Sequence, residues 1–118
     1  MRTIMALAMI LTASAANAQD AHISVTELGL RTCAQFAQDY RETKDDPRHV
    51  VELAYFSWAH GFMSAMNNQM ANEQTRNLTE WSPSAQTAHL AAFCDKNHSQ
   101  PYVTAVFDLY RSLPIKRK

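Results

Sequence analysis

Glycine is almost missing from this chain. Only Gly29 and Gly61 occur in 118 residues, beside four prolines and two cysteines. So little glycine leaves no material for loops that cradle phosphates, and neither a P-loop nor a G-x-G-x-x-G fingerprint is present. There is also no G-x-S-x-G and no H-E-x-x-H, which removes the commonest local signatures of hydrolases and zinc peptidases. No C-x-x-C pair, and no cysteine with histidines at ligand spacing, offers a redox or zinc centre, so no metal, cofactor or catalytic residue is assigned. Strand-like alternation is confined to "HISVTELGL" near the start. No repeat, low-complexity tract or Pro/Gly-rich linker divides the chain, which argues for one domain.

Charge of either sign is not in excess. Eleven Lys+Arg face eleven Asp+Glu. The apolar run "IMALAMILTASAA" follows Arg2 and is too short, and its residues too small, to span a membrane. It ends in "ANA" at Ala18, the small-x-small pattern of a signal peptidase site, so a signal peptide is expected over residues 1–18 with the mature chain starting at Gln19. Loss of Arg2 would leave ten Lys+Arg against the eleven acids, a formal charge of −1. That balance gives no reason to expect nucleic acid or an anionic membrane as partner, and 114–118, which ends in "IKRK", reads as a solvated basic tail. Export also decides how Cys33 and Cys94 are read. An even count in a small exported domain points to a disulfide, and one bridge is the only intramolecular option.

The rest resolves into helices, giving an all-α fold of four helices after an N-terminal arm over 19–31, which carries a Ser24-x-x-Glu27 capping pattern. "TCAQFAQDYRET" opens on Thr32 as N-cap with Gln35 three residues on, and Cys33, Phe36, Ala37 and Tyr40 share a face. "DDPRHVVELAYFSWAHGFMSAMNNQM" has Asp46 as N-cap and Pro47 in the first turn, with a stripe of Val51, Tyr55 or Ala54, Trp58, Phe62, and Ala65 or Met66. A polar loop follows up to Trp81. A third helix is capped by Ser82, with Leu90, Phe93 and Cys94 on one side. A fourth starts near Ser99 and shows Val103, Val106, Phe107, Tyr110, and Leu113 or Pro114.

The long helix invites a chemical reading, and its residues resist one. His60 has no histidine or carboxylate at i+3 or i+4 and reads as a half-exposed side chain, as do His49 and His89. An enzyme would come back into view only if the fold set His60 or His89 beside a carboxylate in a cleft. Trp58 and Phe62 read as core. Gly61 costs about 1 kcal/mol relative to alanine inside a helix, which predicts a kink or the close approach of another backbone. Asn67 and Asn68 near the helix end read as caps or as partners of the following loop.

"TCAQF", "WAHGFMSA", "LAAFCDKN" and "PYVTAVFDLY", in that order between Thr32 and Leu113, resemble the HdeA/HdeB family of small periplasmic acid-stress chaperones and their relatives. The resemblance rests on Cys33, Phe36, Trp58, Gly61, Phe62, Cys94 and the helix after it, and it would map the family's disulfide onto the two cysteines. It implies a periplasmic, ATP-independent holdase, dimeric at neutral pH, that loosens in acid and shows apolar surface to unfolded client proteins. Trp58, Gly61, Phe62, Met63 and Met66 are then the client-binding candidates, although the same methionines also serve as core filler. The segment from Met63 to Pro83 is longer and more polar than in those chaperones. A second similarity, in the G-F segment and terminal helices, is to immunity proteins that guard against cell-wall-targeting type VI secretion toxins. That reading implies one tight protein partner held by the polar loop, with Asn67, Asn68 and Trp81 as candidates.

Overall fold

The computed structural model describes residues 25–70 and 74–117, with side chains from Glu27 onward. The expected signal peptide, the first residues of the arm and the Ser24 capping pattern lie outside the described residues. Five helices follow in order: α1 (Val25–Leu30), α2 (Cys33–Thr43), α3 (Val50–Gln69), α4 (Pro83–Lys96) and α5 (Tyr102–Ser112). The all-α class with one disulfide is therefore what the chain adopts. The short α1 is an addition to the four expected helices. It occupies part of what reads as an arm, because Leu28 is buried against the core and gives the segment an apolar anchor.

Local signals start two of the helices where the sequence places them. The Thr32 hydroxyl accepts from Gln35 N–H, and the Gln35 carboxamide accepts from Thr32 N–H, a complete capping box. Ser82 caps α4 by accepting from Ala85 N–H, with Pro83 in the first turn.

The start of α3 differs from expectation. Asp46 accepts from Arg48 N–H at 3.0 Å and pairs with the Arg48 guanidinium, so its side chain closes a turn instead of capping a helix. The hydrogen bonds from Arg48 hold the Asp46 carboxyl below the usual carboxylate range. His49 then takes a left-handed conformation at φ 49°, and the helix begins at Val50. Similarly α5 starts at Tyr102 and not near Ser99, because a turn closed by Gln100 N–H to Asn97 O comes first and the extended Pro101 then bridges to Thr32 at the start of α2. Cys33 N–H donates to Gln100 O, Ala34 N–H to His98 O, and Tyr102 N–H to Arg31 O. These bonds reinforce the Cys33–Cys94 disulfide, which joins α2 to α4 over a separation of 61 residues. Closing a loop of that size stabilises the fold by roughly 4 kcal/mol on the chain-entropy model.

α2 packs mainly on α4, and α4 on α5, while α1 lies against α3 and α5. The centre belongs to α5, whose Tyr102, Ala105, Val106, Leu109, Tyr110 and, just beyond its end, Leu113 are buried. Phe107, expected on this face, is instead partly exposed and meets Phe62 edge-on. The deepest line of α3 is Tyr55, Ala59 and Met63, one residue round from the expected stripe. Trp58, Phe62 and Met66 flank it half-buried, while Ala54 and Ala65 face outward. Ala59 sits at the line because a small side chain lets the helix come close, and the ring of Trp58 is too large to go under it.

The two glycines reverse their expected roles. A Cβ on Gly61 would meet open space, and the residue is exposed in an uninterrupted helix, so neither close approach nor a kink explains it. At Gly29 the added carbon would run into the indole of Trp58. Gly29→Ala should therefore lower stability by about 1–3 kcal/mol through overpacking, whereas Gly61→Ala should raise it by up to about 1 kcal/mol. Urea unfolding of both variants checks this. Equal effects at the two positions would contradict the seating of Trp58 over α1.

Candidate functional site

Under α1 and α3 the sequence's aromatic residues gather around one buried phenol. Tyr102 lies 4.8 Å from Phe36, 5.0 Å from Tyr55 and 5.9 Å from Trp58, measured between ring centroids. Its hydroxyl donates to the Tyr55 backbone carbonyl at 3.0 Å, which satisfies a polar group that is otherwise fully enclosed. Trp58 stacks on Phe62 at 5.2 Å, and Phe36 stacks on Tyr40. The residues proposed for client contact are thus brought together in part. Trp58, Phe62 and Met66 form the rim of this cluster, Met63 is entirely buried beneath it, and Gly61 faces solvent on the far side of α3.

The cluster is closed at one edge by a polar clasp that sequence spacing does not reveal. Tyr55 donates its hydroxyl to Asp39 Oδ2 at 2.6 Å, and Arg31 donates to the same oxygen at 3.0 Å. One carboxylate on α2 so holds both the α1–α2 junction and α3. The clasp borders a cavity of about 270 Å³ lined by Leu28, Glu42, Val50 and Val51 among others. Burial, and then the hydrogen bond to Asp39, push the Tyr55 phenol up to about 12, against the opposing pull of Arg31. Burial also raises Tyr102. The Arg31 guanidinium is raised in turn, first by its hydrogen bond to Tyr55.

α3 presents a second face to solvent. Val50 and Leu53 are 57% and 55% exposed and lead into a row of small or polar side chains at Ser57, Gly61, Ser64 and Asn68. Leu53 and Phe56 border a shallow cavity of about 340 Å³ with Pro83 of α4.

The loop residues proposed as a partner surface are largely engaged within the molecule. Asn67 forms a closed pair with Arg76, donating to its carbonyl and accepting from its N–H, both at 2.9 Å, and also accepts from the Tyr110 hydroxyl. Trp81 is half-buried, with its ring against His89 and its carbonyl bound by the buried Gln86. Asn68 alone of the three is exposed. His60 reaches the Leu78 carbonyl at 3.3 Å.

His89 does meet a carboxylate. Its Nε2 is 2.8 Å from Asp108 Oδ2, at a cavity of about 240 Å³ that Lys96 and Asn97 also line. Among the described residues, however, the pair touches no hydroxyl or thiol that the imidazole could deprotonate. The Ser112 hydroxyl, one turn along α5, donates to the Asp108 backbone carbonyl. The pair links α4 to α5. No cluster of three or more His, Cys, Asp or Glu side chains able to hold a metal occurs among the described residues. No described helix is long and apolar enough to cross a membrane.

Comparison with known proteins gives no match to any family model, to any curated protein or to any solved structure.

The raised phenols make a direct test of the clasp. The fold favours the protonated form, so this stabilisation is present below about pH 10, the ordinary tyrosine value, and is lost as pH rises through about 12 for Tyr55. In a spectrophotometric titration, two of the four tyrosines should ionise late and together with loss of helical signal. Four phenols titrating in a single early step, with the fold intact, would contradict the buried position of Tyr55 and Tyr102.

Proposed function

We propose that this protein is a non-enzymatic, periplasmic, ATP-independent holdase, in which acid opens the clasp at Asp39 and exposes the aromatic cluster to unfolded client proteins. The observation that carries the reading is the distribution of titratable links. α2, α4 and α5 are held to one another at the disulfide end by a covalent bond and by backbone hydrogen bonds that no proton removes. Beside the Phe36–Tyr55 ring contact, the polar side-chain links from the α1–α2 junction and the first half of α3 to α2 run through one carboxylate. Protonating Asp39 removes its charge attraction for Arg31 and weakens it as an acceptor for Tyr55. Full protonation of the carboxylates and five histidines would leave the part of the chain after Ala18 with fifteen positive side chains, whose repulsion opposes the closed state.

What would be uncovered is apolar and adaptable: Phe36, Tyr40, Trp58 and Phe62, with Met63 and Met66 beside them. The disulfide keeps the opened chain from expanding fully and lets it reclose at neutral pH.

A second reading, an immunity or inhibitor protein with one tight partner, draws on a different observation. Val50 and Leu53 are exposed on α3 while the clasp is still closed, and a rigid apolar face of that kind suits constitutive docking.

The test follows apolar-dye fluorescence and the scattering of an aggregating client together, from pH 7 to about pH 2, where carboxylates are protonated. Dye binding and client protection should rise in parallel. Asp39→Asn should cost about 1 kcal/mol at neutral pH, a modest figure because the ion pair is partly solvent-screened, and should move both transitions toward neutrality. Unmoved transitions would remove Asp39 from the account. Absence of client protection at every pH would sink the holdase and leave the docking protein.

A further inference from the structure

The start of α3 and the first turn of α4 meet at the cavity of about 340 Å³ that Leu53, Phe56 and Pro83 border. Thr87 lines it too, and its side chain stands out. The residue is 5% exposed, yet among the described residues no hydrogen bond reaches its hydroxyl. Thr43, Ser64 and Ser112 lie on helices as well, nearer to solvent, and each donates to the carbonyl four residues back. Nor is the Thr87 oxygen sealed in, as the unpaired Gln86 carboxamide oxygen is, so it opens on the cavity. A hydroxyl taken this far from water without a partner is costly, and a group that enters the cavity can pair it.

The charges on the rim already have partners. The Arg48 guanidinium is paired with Asp46, and Glu52 has the His49 imidazole at 3.3 Å. Lys44 and Asp45, in the turn before, are opposite in sign. The rim is also fixed in shape. His49 N–H donates to Asp46 O, and His49 alone among the described non-glycine residues has a positive φ, a conformation that persists where its surroundings impose it. What such a cavity accepts is an uncharged group with an apolar body, to lie on Leu53, Phe56 and Pro83, and a polar tip to reach Thr87. Tyrosine and tryptophan have that form. Ser84, second in α4, lines the same wall and has a backbone N–H without a helical acceptor, a match for a peptide carbonyl. A second copy of this chain does not supply the ring, because none of its described tyrosines or tryptophans is exposed.

We propose that this cavity receives a tyrosine or tryptophan side chain from an uncharged, extended stretch of another protein. The ring lies over Leu53, Phe56 and Pro83, and its hydroxyl or indole N–H meets the Thr87 hydroxyl. None of the lining residues is shared with the cavity at the Asp39 clasp, so the site is complete while the clasp is closed. The proposal rests on the docking reading of α3 and gives that reading its anchor.

Amide chemical-shift titration of the oxidised protein at neutral pH tests this with blocked pentapeptides, acetyl-Gly-Ser-X-Ser-Gly-amide, in which X is tyrosine, tryptophan, phenylalanine or lysine. The tyrosine and tryptophan peptides should give saturable shifts at Leu53, Ser84 and Thr87, little changed by salt. Tyrosine should bind about fivefold more tightly than phenylalanine, the worth of one hydrogen bond. Thr87→Val keeps the shape of the side chain and should remove that preference, leaving the phenylalanine peptide within about twofold. Leu53→Ser, at an exposed position, should weaken every aromatic peptide. Equal binding of tyrosine and phenylalanine, a preference that survives Thr87→Val, or tighter binding of the lysine peptide would each overturn the proposal. Saturable shifts at Val50 and Leu53 that leave Ser84 and Thr87 unmoved would overturn the anchor and retain the docking face. Absence of saturable shifts with all four peptides would overturn the anchor together with the docking reading.

Discussion

The bond between Cys33 and Cys94, with the three backbone hydrogen bonds beside it, is the constraint on which the rest of this fold depends. A domain of this size buries a core with little margin. By fixing the start of α2 to the end of α4 and to the strand-like approach to α5, the cross-link sets three helices around Tyr102 before α3 contributes anything. The remaining helices then need only cover an aromatic surface already assembled. α1 does so by placing Leu28 in the core and offering Gly29 as a flat seat for Trp58. α3 does so with Tyr55, Ala59 and Met63.

From this arrangement comes an asymmetry of chemistry. Links inside the frame are covalent, backbone-based or apolar, apart from the His89–Asp108 pair between α4 and α5. Links from the frame to its cover include one carboxylate shared by two donors, Arg31 and Tyr55. Alkali attacks that clasp by ionising the Tyr55 phenol, and on the proposed reading acid would attack it from the other side, at the Asp39 carboxylate. The far end of α3 is secured differently, by the neutral amide pair of Asn67 and Arg76, and has no comparable acid sensitivity. Opening in acid is therefore expected to start at the α1 end, where the clasp and the exposed Val50 and Leu53 lie together, and not at the polar loop.

Much of the frame is legible in the chain itself. Thr32 with Gln35, and Ser82 with Pro83, announce helix starts because capping is a local interaction among neighbours in sequence. The cysteine pairing is legible because no other is available. The features that escape are those decided by distant partners. Asp46 looks like a cap and becomes a turn because Arg48 competes for its oxygens. The true inner line of α3 is displaced by one residue, since Ala59 can lie against a neighbouring helix where Trp58 cannot. Gly61 attracts attention inside the long helix, while the glycine that matters to packing is Gly29, whose role depends on an indole 29 positions away. The clasp at Asp39, and the backbone bonds that pin the basic tail by joining Asn77 to Pro114 and Lys116 to Thr75, each connect residues far apart in sequence, and no spacing rule brings them together. The polar loop is a middle case: Asn67 is visible as a partner for the segment that follows it, but the role of Arg76 in tying that segment to the end of α5, through the carbonyls of Arg111 and Leu113, is not.

The central claim is that acid frees α1 and α3 from a frame of α2, α4 and α5 that stays intact. Amide hydrogen exchange read by mass spectrometry, in steps of pH from neutral to about pH 3 with intrinsic rates corrected for pH, measures this directly. Protection should fall first over Val25–Leu30 and the first half of Val50–Gln69, while Cys33–Thr43, Pro83–Lys96 and Tyr102–Ser112 remain protected. Simultaneous loss of protection in all five helices, or earlier loss in α4 or α5, would contradict it.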